Sequence, residues 1–230
     1  MKVLSIETAC EHGSVALLRD GVVHVRQIHG AANHSEAVLR DLRELLAEGG
    51  LAVPQLDAIA FGAGPGAFTG LRLACGVAQG IALAAGLGVA AVSSLQAIAL
   101  QCAADRVFVA TDARMGEVYH AAFARDAAGM PQLVGAHACS APLDVELPPG
   151  DWFAAGSAFS VWPDELAARL RGRLIGCAPD LVPRAEEVAR LGATVVERGQ
   201  LAAPELAAPL YVRDKVALTT AERLARGGRA

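Results

Sequence analysis

The alternation of apolar and polar positions divides the chain into two stretches that open alike. Val3, Leu4 and Ile6 predict a strand over Lys2 to Ile6, and Ser14 to Leu18 predicts a second, across a turn from Glu7 to Gly13. Asp20-Gly21 is a two-residue hairpin signal, which makes Val22 to Ile28 a third, antiparallel strand. Asn33 and Glu36 resemble a capping box, and Val38, Leu39, Leu42, Leu45 and Leu46 recur at helical spacing as far as Glu48. Gly49-Gly50 stops that helix. A buried strand over Leu56 to Phe61, a glycine loop and a helix from Thr69 to Ala85 follow, with Thr69 as the expected N-cap. A strand over Val89 to Val92 and a helix from Ser94 to Ala103, capped by Ser93 or Ser94, complete this stretch.

At Arg106 the pattern restarts. Val107 to Thr111, Val118 to Ala124 and Gln132 to Ala138 read as strands, with turns at Asp112 to Gly116 and Asp126 to Gly129. A helix near Ser157 to Leu170, a strand near Arg173 to Cys177 and a helix near Arg184 to Leu191 come next. An extended segment over Tyr211 to Val216 leads to a short helix from Thr219 or Thr220 to Arg226, expected to pack back on the body. The sequence thus predicts an α/β protein of two domains, 1–104 and 105–230, each a β-β-β-α-β-α unit. Such a duplication is the layout of the actin-like ATPase (ASKHA) fold.

Composition and charge add four exclusions. The net charge is −4 and the only lysines are Lys2 and Lys215, which argues against the chain gripping nucleic acid alone. Its one basic cluster, Arg223, Arg226 and Arg229, reads as a solvated terminal helix. The five cysteines show no metal or disulfide spacing and read as small buried hydrophobes in a reducing cytosol. Glu7 interrupts the first apolar run, so no signal peptide is expected. Leu73 to Ala104 carries no charge, yet it is weakly apolar and broken by Gln79, Gly86, Gly88 and Ser93, so no membrane span is expected either.

The densest chemistry lies in Phe61-Gly-Ala-Gly-Pro-Gly-Ala-Phe-Thr-Gly-Leu-Arg72. A glycine loop opening a helix is either an anion site or a tight turn beneath a close helix contact. It matches neither G-x-x-x-x-G-K-[ST] nor the dinucleotide fingerprint. Glu7, Gly64, Gly66, Thr69, Gly70 and Asp112 are the residues an anion or vestigial nucleotide site would use, with Glu7 and Asp112 facing each other across a cleft. His34 has Val38 four residues on, so no paired-histidine metal site is formed there. Arg114 and Glu117 are placed to pair across their turn.

Gly64-Pro-Gly-Ala-Phe-Thr-Gly-Leu-Arg72 resembles the G-P-G-S-F-T-G-L-R signature of the TsaB family, with Ala67 in place of the usual serine. Leu56 to Gly62, Gly76 to Gly80, Val92 to Leu95, Asp112 to Tyr119 and Pro209-Leu-Tyr-Val-Arg-Asp214 extend the likeness in order along nearly the whole chain. The resemblance implies a non-catalytic, cytoplasmic subunit for the threonylcarbamoyl modification of adenosine 37 in transfer RNA. It implies a TsaD-like catalytic paralogue and a TsaE-like ATPase as partners, a homodimer when alone, and contact with tRNA only through the complex. ATP and magnesium would be used by the complex, not by this chain. The docking surface is expected on the helices 34–48 and 69–85, through Leu39, Arg43, Leu71, Ala74, Cys75, Ala78, Gly80 and Ala82, with Ala78→Arg or Gly80→Arg breaking association. The competing reading is a small actin-fold ATPase or kinase.

Overall fold

A computed structural model describes residues 1–28 and 34–213, with the side chains of 34 and 35 left out. The helix expected over 219–226, the Arg223, Arg226 and Arg229 cluster, the Asn33 cap and the His34 side chain lie outside the described residues.

The first five strands are β1 (Lys2–Glu7), β2 (Gly13–Arg19), β3 (Val22–Ile28), β4 (Ala58–Gly64) and β5 (Val89–Ser93). They form one sheet in the order β3-β2-β1-β4-β5, the hairpins antiparallel and β4 and β5 added in parallel. The second sheet holds β6 (Arg106–Asp112), β7 (Val118–Arg125), β8 (Pro131–Ser140), β9 (Trp152–Ala155) and β10 (Leu174–Ala178), in the order β8-β7-β6-β9-β10. The two orders are the same, so the duplication is real at the level of topology.

Its execution differs between the halves. The first carries α1 (His34–Glu48), α2 (Phe68–Ala85) and α3 (Ser94–Gln101). The second replaces the first of these with a 3-10 turn at Pro142–Asp144 and has α4 (Ala158–Val161), α5 (Pro163–Arg169) and α6 (Ala185–Glu197). The expected continuous helix over 157–170 is broken because Pro163 has no N–H to donate and pushes Trp162 out of helical geometry (φ −127°, ψ 53°). β9, buried except at Phe153, escapes the sequence reading, since four residues are too few for a periodicity.

Two helices change sides. α6, from the second half, packs on β1, β2 and β4 of the first sheet, while α3, from the first half, packs on β6, β7 and β8. A Cβ on Gly192 would lie 2.7 Å from Ala60 Cβ, so glycine there lets α6 lie close against the sheet. Ser14 Oγ accepts the Ala185 N–H at 2.9 Å and Ser5 donates to the Ala185 carbonyl at 2.7 Å, tying the start of α6 to β1 and β2. The other face of the first sheet is covered by α1 and α2, whose Val38, Leu42, Leu45, Ala74 and Ala78 share a core with Leu4, Leu17 and Phe61. The first lobe is therefore the first sheet with α1, α2 and α6; the second sheet with α3, α4 and α5 is the other.

Candidate functional site: the interlobe cleft and the outer face of α2

The glycine loop is folded against the chain's own first turn. A Cβ on Gly66 would come 2.5 Å from the Ala9 carbonyl oxygen, and one on Gly70 would come 1.8 Å from that of Thr8. Ala67 N–H donates to Ala9 O at 2.7 Å, and Thr8 Oγ1 donates to Gly70 O at 2.8 Å. Of the two readings of this loop, close backbone packing is the one its geometry displays. Thr69 is exposed and is not the N-cap; Ala67 holds that position and has no side chain to cap with, a correction to the sequence expectation.

Glu7 and Asp112 do not face each other. Glu7 is fully buried: Oε1 accepts the Ala9 N–H at 2.6 Å and Oε2 accepts the Ser94 hydroxyl at 2.8 Å. Burial pushes its carboxyl up to about 7, against the opposing pull of those hydrogen bonds. Asp112 does reach the space between the lobes. It is held by the Trp162 indole N–H, the Arg114 N–H and the Arg114 guanidinium, each at 3.3 Å, and its own N–H donates to Ser157 Oγ at 3.1 Å. That space is a cavity of about 380 Å³ with Phe68, Leu71, Asp112, Tyr119 and Ser157 among its walls. Of the six residues proposed for an anion site, Gly66 and Asp112 line this cleft; Glu7 and Gly64 are buried away from its walls, and neither the half-buried Gly70 nor the exposed Thr69 belongs to them. Among the described residues no group of three or more His, Cys, Asp or Glu side chains is placed to hold a metal.

A strap over residues 210–213 joins the lobes. Leu210 N–H donates to the Ala63 carbonyl at 2.7 Å. The Tyr211 ring lies 5.9 Å from that of Phe68, its hydroxyl accepts from Arg72 Nε at 3.1 Å, and the Arg72 guanidinium sits 3.9 Å above the Phe68 ring. On the opposite lobe Arg213 donates to the carbonyls of Ala113 and Arg114, pairs with Glu117 at 2.7 Å and lies over the Tyr119 ring. The expected Arg114–Glu117 pair is not formed: Glu117 turns to Arg213 and Arg114 to Asp112. The strap is the chain's P-x-Y-x-R element, and sequence reasoning gave it no role beyond packing.

The expected docking residues separate into two sets. Leu71, Ala74, Cys75, Ala78 and Ala82 are buried on the inner face of α2, against β4, and offer nothing to a partner. This corrects the sequence expectation: both stripes of α2 are small, and the buried one follows the usual inward spacing from Leu71. Leu39, Arg43 and Gly80 are exposed. The true outer face of α2 carries Arg72, Gly76, Gly80, Leu83 (69% exposed) and Ala84, with open space above both glycines. The helix is long and apolar enough to cross a membrane by length and composition, yet its inner stripe belongs to the core of the first lobe. Of the cysteines only Cys75 and Cys102 are buried; Cys10 and Cys139 are half-buried and Cys177 is exposed, so the reading of all five as core residues was too broad.

Two lobes of one repeated topology, with crossed helices and a cleft between them, make this an actin-like α/β protein. A family model described as "TsaD: tRNA N6-adenosine threonylcarbamoyltransferase" matches residues 28–219. The chain is 35% identical over 225 residues to the tRNA threonylcarbamoyladenosine biosynthesis protein TsaB of Escherichia coli, covering 94% of this chain and 96% of that one. The Haemophilus influenzae protein of the same name is 42% identical over 132 residues, 55% of each chain. YeaZ from Pseudomonas aeruginosa, a solved structure, superposes with a TM-score of 0.83 at 37% identity, over 91% of this chain and 99% of that one. The chain belongs to the TsaB family.

Proposed function

We propose that this chain is a non-catalytic subunit of the cytoplasmic assembly that adds threonylcarbamoyl to adenosine 37 of tRNA, and that it works by docking a TsaD-like catalytic paralogue. The relatives named for tRNA threonylcarbamoyladenosine biosynthesis support the pathway. The observation that carries the docking role is the outer face of α2, a helix of 18 residues with Arg72 as its only charge: Gly76, Gly80, Leu83 and Ala84 are exposed, with open space above both glycines among the described residues. The same face serves a homodimer when the partner is missing. A TsaE-like ATPase brings the nucleotide chemistry, so ATP and magnesium act in the complex, and tRNA is reached through the partners. The packing of Thr8 and Ala9 over the glycine loop is a reason to favour this reading over an ATPase or kinase.

The test is reconstitution with TsaD, TsaE, ATP, tRNA and the enzyme that supplies threonylcarbamoyl-adenylate, with and without this protein. Modification only in its presence, with no ATP turnover by the chain alone, is the expected result. Equal modification without it, or ATP hydrolysis by the chain alone that Asp112→Ala abolishes, would return the enzyme reading.

A further inference from the structure

The last described residue, Arg213, is anchored beside a cluster of exposed apolar side chains. Phe68, Val161 and Tyr211 are half-exposed, and all three stand in the walls of the interlobe cleft. Met115, 75% exposed, has its sulfur 3.8 Å from Arg213 Nη1. Phe68 belongs to the first lobe, Val161 and Met115 to the second, so the cluster frames the mouth of the cleft. Large apolar side chains grouped in this way mark a surface that something covers. Beside them the Arg213 Nε–H is buried with no acceptor among the described residues.

The residues that follow Arg213 suit this surface. Leu218, Ala221, Leu224 and Ala225 fall at helical spacing on one face, with Glu222, Arg223 and Arg226 on the other. Lys215, Arg223, Arg226 and Arg229 against Asp214 and Glu222 give residues 214–230 a net charge of +2, which leaves −6 on residues 1–213. Of the charged wall residues, Arg114 pairs with Asp112 and Arg213 with Glu117, while the exposed Glu11 forms no ion pair among the described residues. The lengths agree as well. The strap crosses from Leu210 to Arg213, so the rims of the two lobes lie within about 10 Å of each other there. A helix over 219–226 is about 12 Å long. Residues 214–218 supply a tether of at most about 17 Å.

We propose that the C-terminal segment folds back as an amphipathic helix over the mouth of the interlobe cleft. It lays Leu218, Ala221 and Leu224 on Phe68, Val161 and Met115 and turns an arginine toward Glu11. The chain thereby covers its own cleft. The occupant is this segment because it starts at the rim, and tethering supplies it at an effective concentration on the order of millimolar. The proposal does not rest on the docking reading: the face of α2 used there, from Gly76 to Ala84, lies outside this contact.

The experiment is amide hydrogen exchange on the full chain, compared with a synthetic peptide of residues 214–230, with methyl NMR to place the segment. Exchange over 219–226 should be slower than in the peptide by about tenfold or more, at every protein concentration. The Leu218 and Leu224 methyls should show contacts to those of Val161 and Met115. Leu224→Asp on the segment and Val161→Asp at the rim should each return exchange to the peptide's rate. Val161 is half-exposed, so its variant should keep the melting curve of the body. Glu11→Gln should lose about twofold of the protection. The proposal is overturned by peptide-like exchange in the wild-type chain or by protection that survives Val161→Asp. Protection that grows with protein concentration would also overturn it and assign the segment to a second copy.

Discussion

Glu7 and Gly62 lie on adjacent strands so close that a Cβ on Gly62 would come within 1.9 Å of Glu7 Oε2. The glycine exists to admit a buried carboxyl. Gly62→Ala should therefore destabilise the fold by about 1–3 kcal/mol, as overpacking does. Gly76→Ala is the control: it sits on the outside of a helix with nothing within 4 Å, and should stabilise by about 0.5–1 kcal/mol. Urea denaturation of the two variants checks both signs.

The same carboxyl sets a pH dependence. Its folded pKa is raised from 4.5 to about 7, so the folded state holds the proton more tightly than the unfolded chain. The associated stability is complete below about pH 4.5 and is lost as pH rises through about 7, a difference on the order of 3 kcal/mol. His120, pushed down to about 4 by burial, acts in the opposite sense: its contribution is present above about pH 6.5 and is lost as pH falls towards 4. Comparison with Glu7→Gln isolates the first effect. Between pH 5 and 8 the wild type should lose stability relative to the variant; parallel curves would contradict a buried, proton-holding Glu7.

The two faces of α2 give opposite responses to one substitution. Ala78 is fully buried, so Ala78→Arg places an unpaired charge in the core and should prevent folding. Gly80 faces open space, so Gly80→Arg should leave the melting curve in place and weaken association by about tenfold or more. Sedimentation with and without the catalytic paralogue measures this; unchanged association of folded Gly80→Arg would remove the outer face from consideration.

Arg213→Ala removes the Glu117 pair and two carbonyl contacts at once. Glu117 is 39% exposed, so water compensates in part and the expected loss is about 1–2 kcal/mol. Tyr211→Phe, which keeps the ring contact with Phe68, should lose less than about 1 kcal/mol. Thermal melts of both variants separate the charged half of the strap from its aromatic half.

All the strands but β9 were legible because each has a local cause: alternation in β1 to β3, the Asp20-Gly21 turn with both residues at positive φ, and the Ser93 side chain capping α3. α1 was legible to its ends. What the sequence withheld depends on distant partners. Nothing local says that Glu7 turns inward to Ser94, 87 residues away, and not toward a cleft. Nothing in a helix of alanine and glycine says which small stripe meets the sheet. Nothing in α3 or α6 announces that each covers the other half's strands. The Tyr211 and Arg213 clamp was visible as a motif, but its meaning lies in contacts with residues far earlier in the chain, from Phe68 to Tyr119.

The exchange of α3 and α6 has a consequence for how the protein is made. Translation delivers the first sheet early, with α1 and α2 ready to cover one side. Val3, Ala60 and Ala90 on its other side stay bare until Val188, Ala189 and Leu191 have been synthesised. Folding of the first lobe therefore waits for almost the last part of the chain, and a ribosome stalled midway would display an unfinished, adhesive sheet.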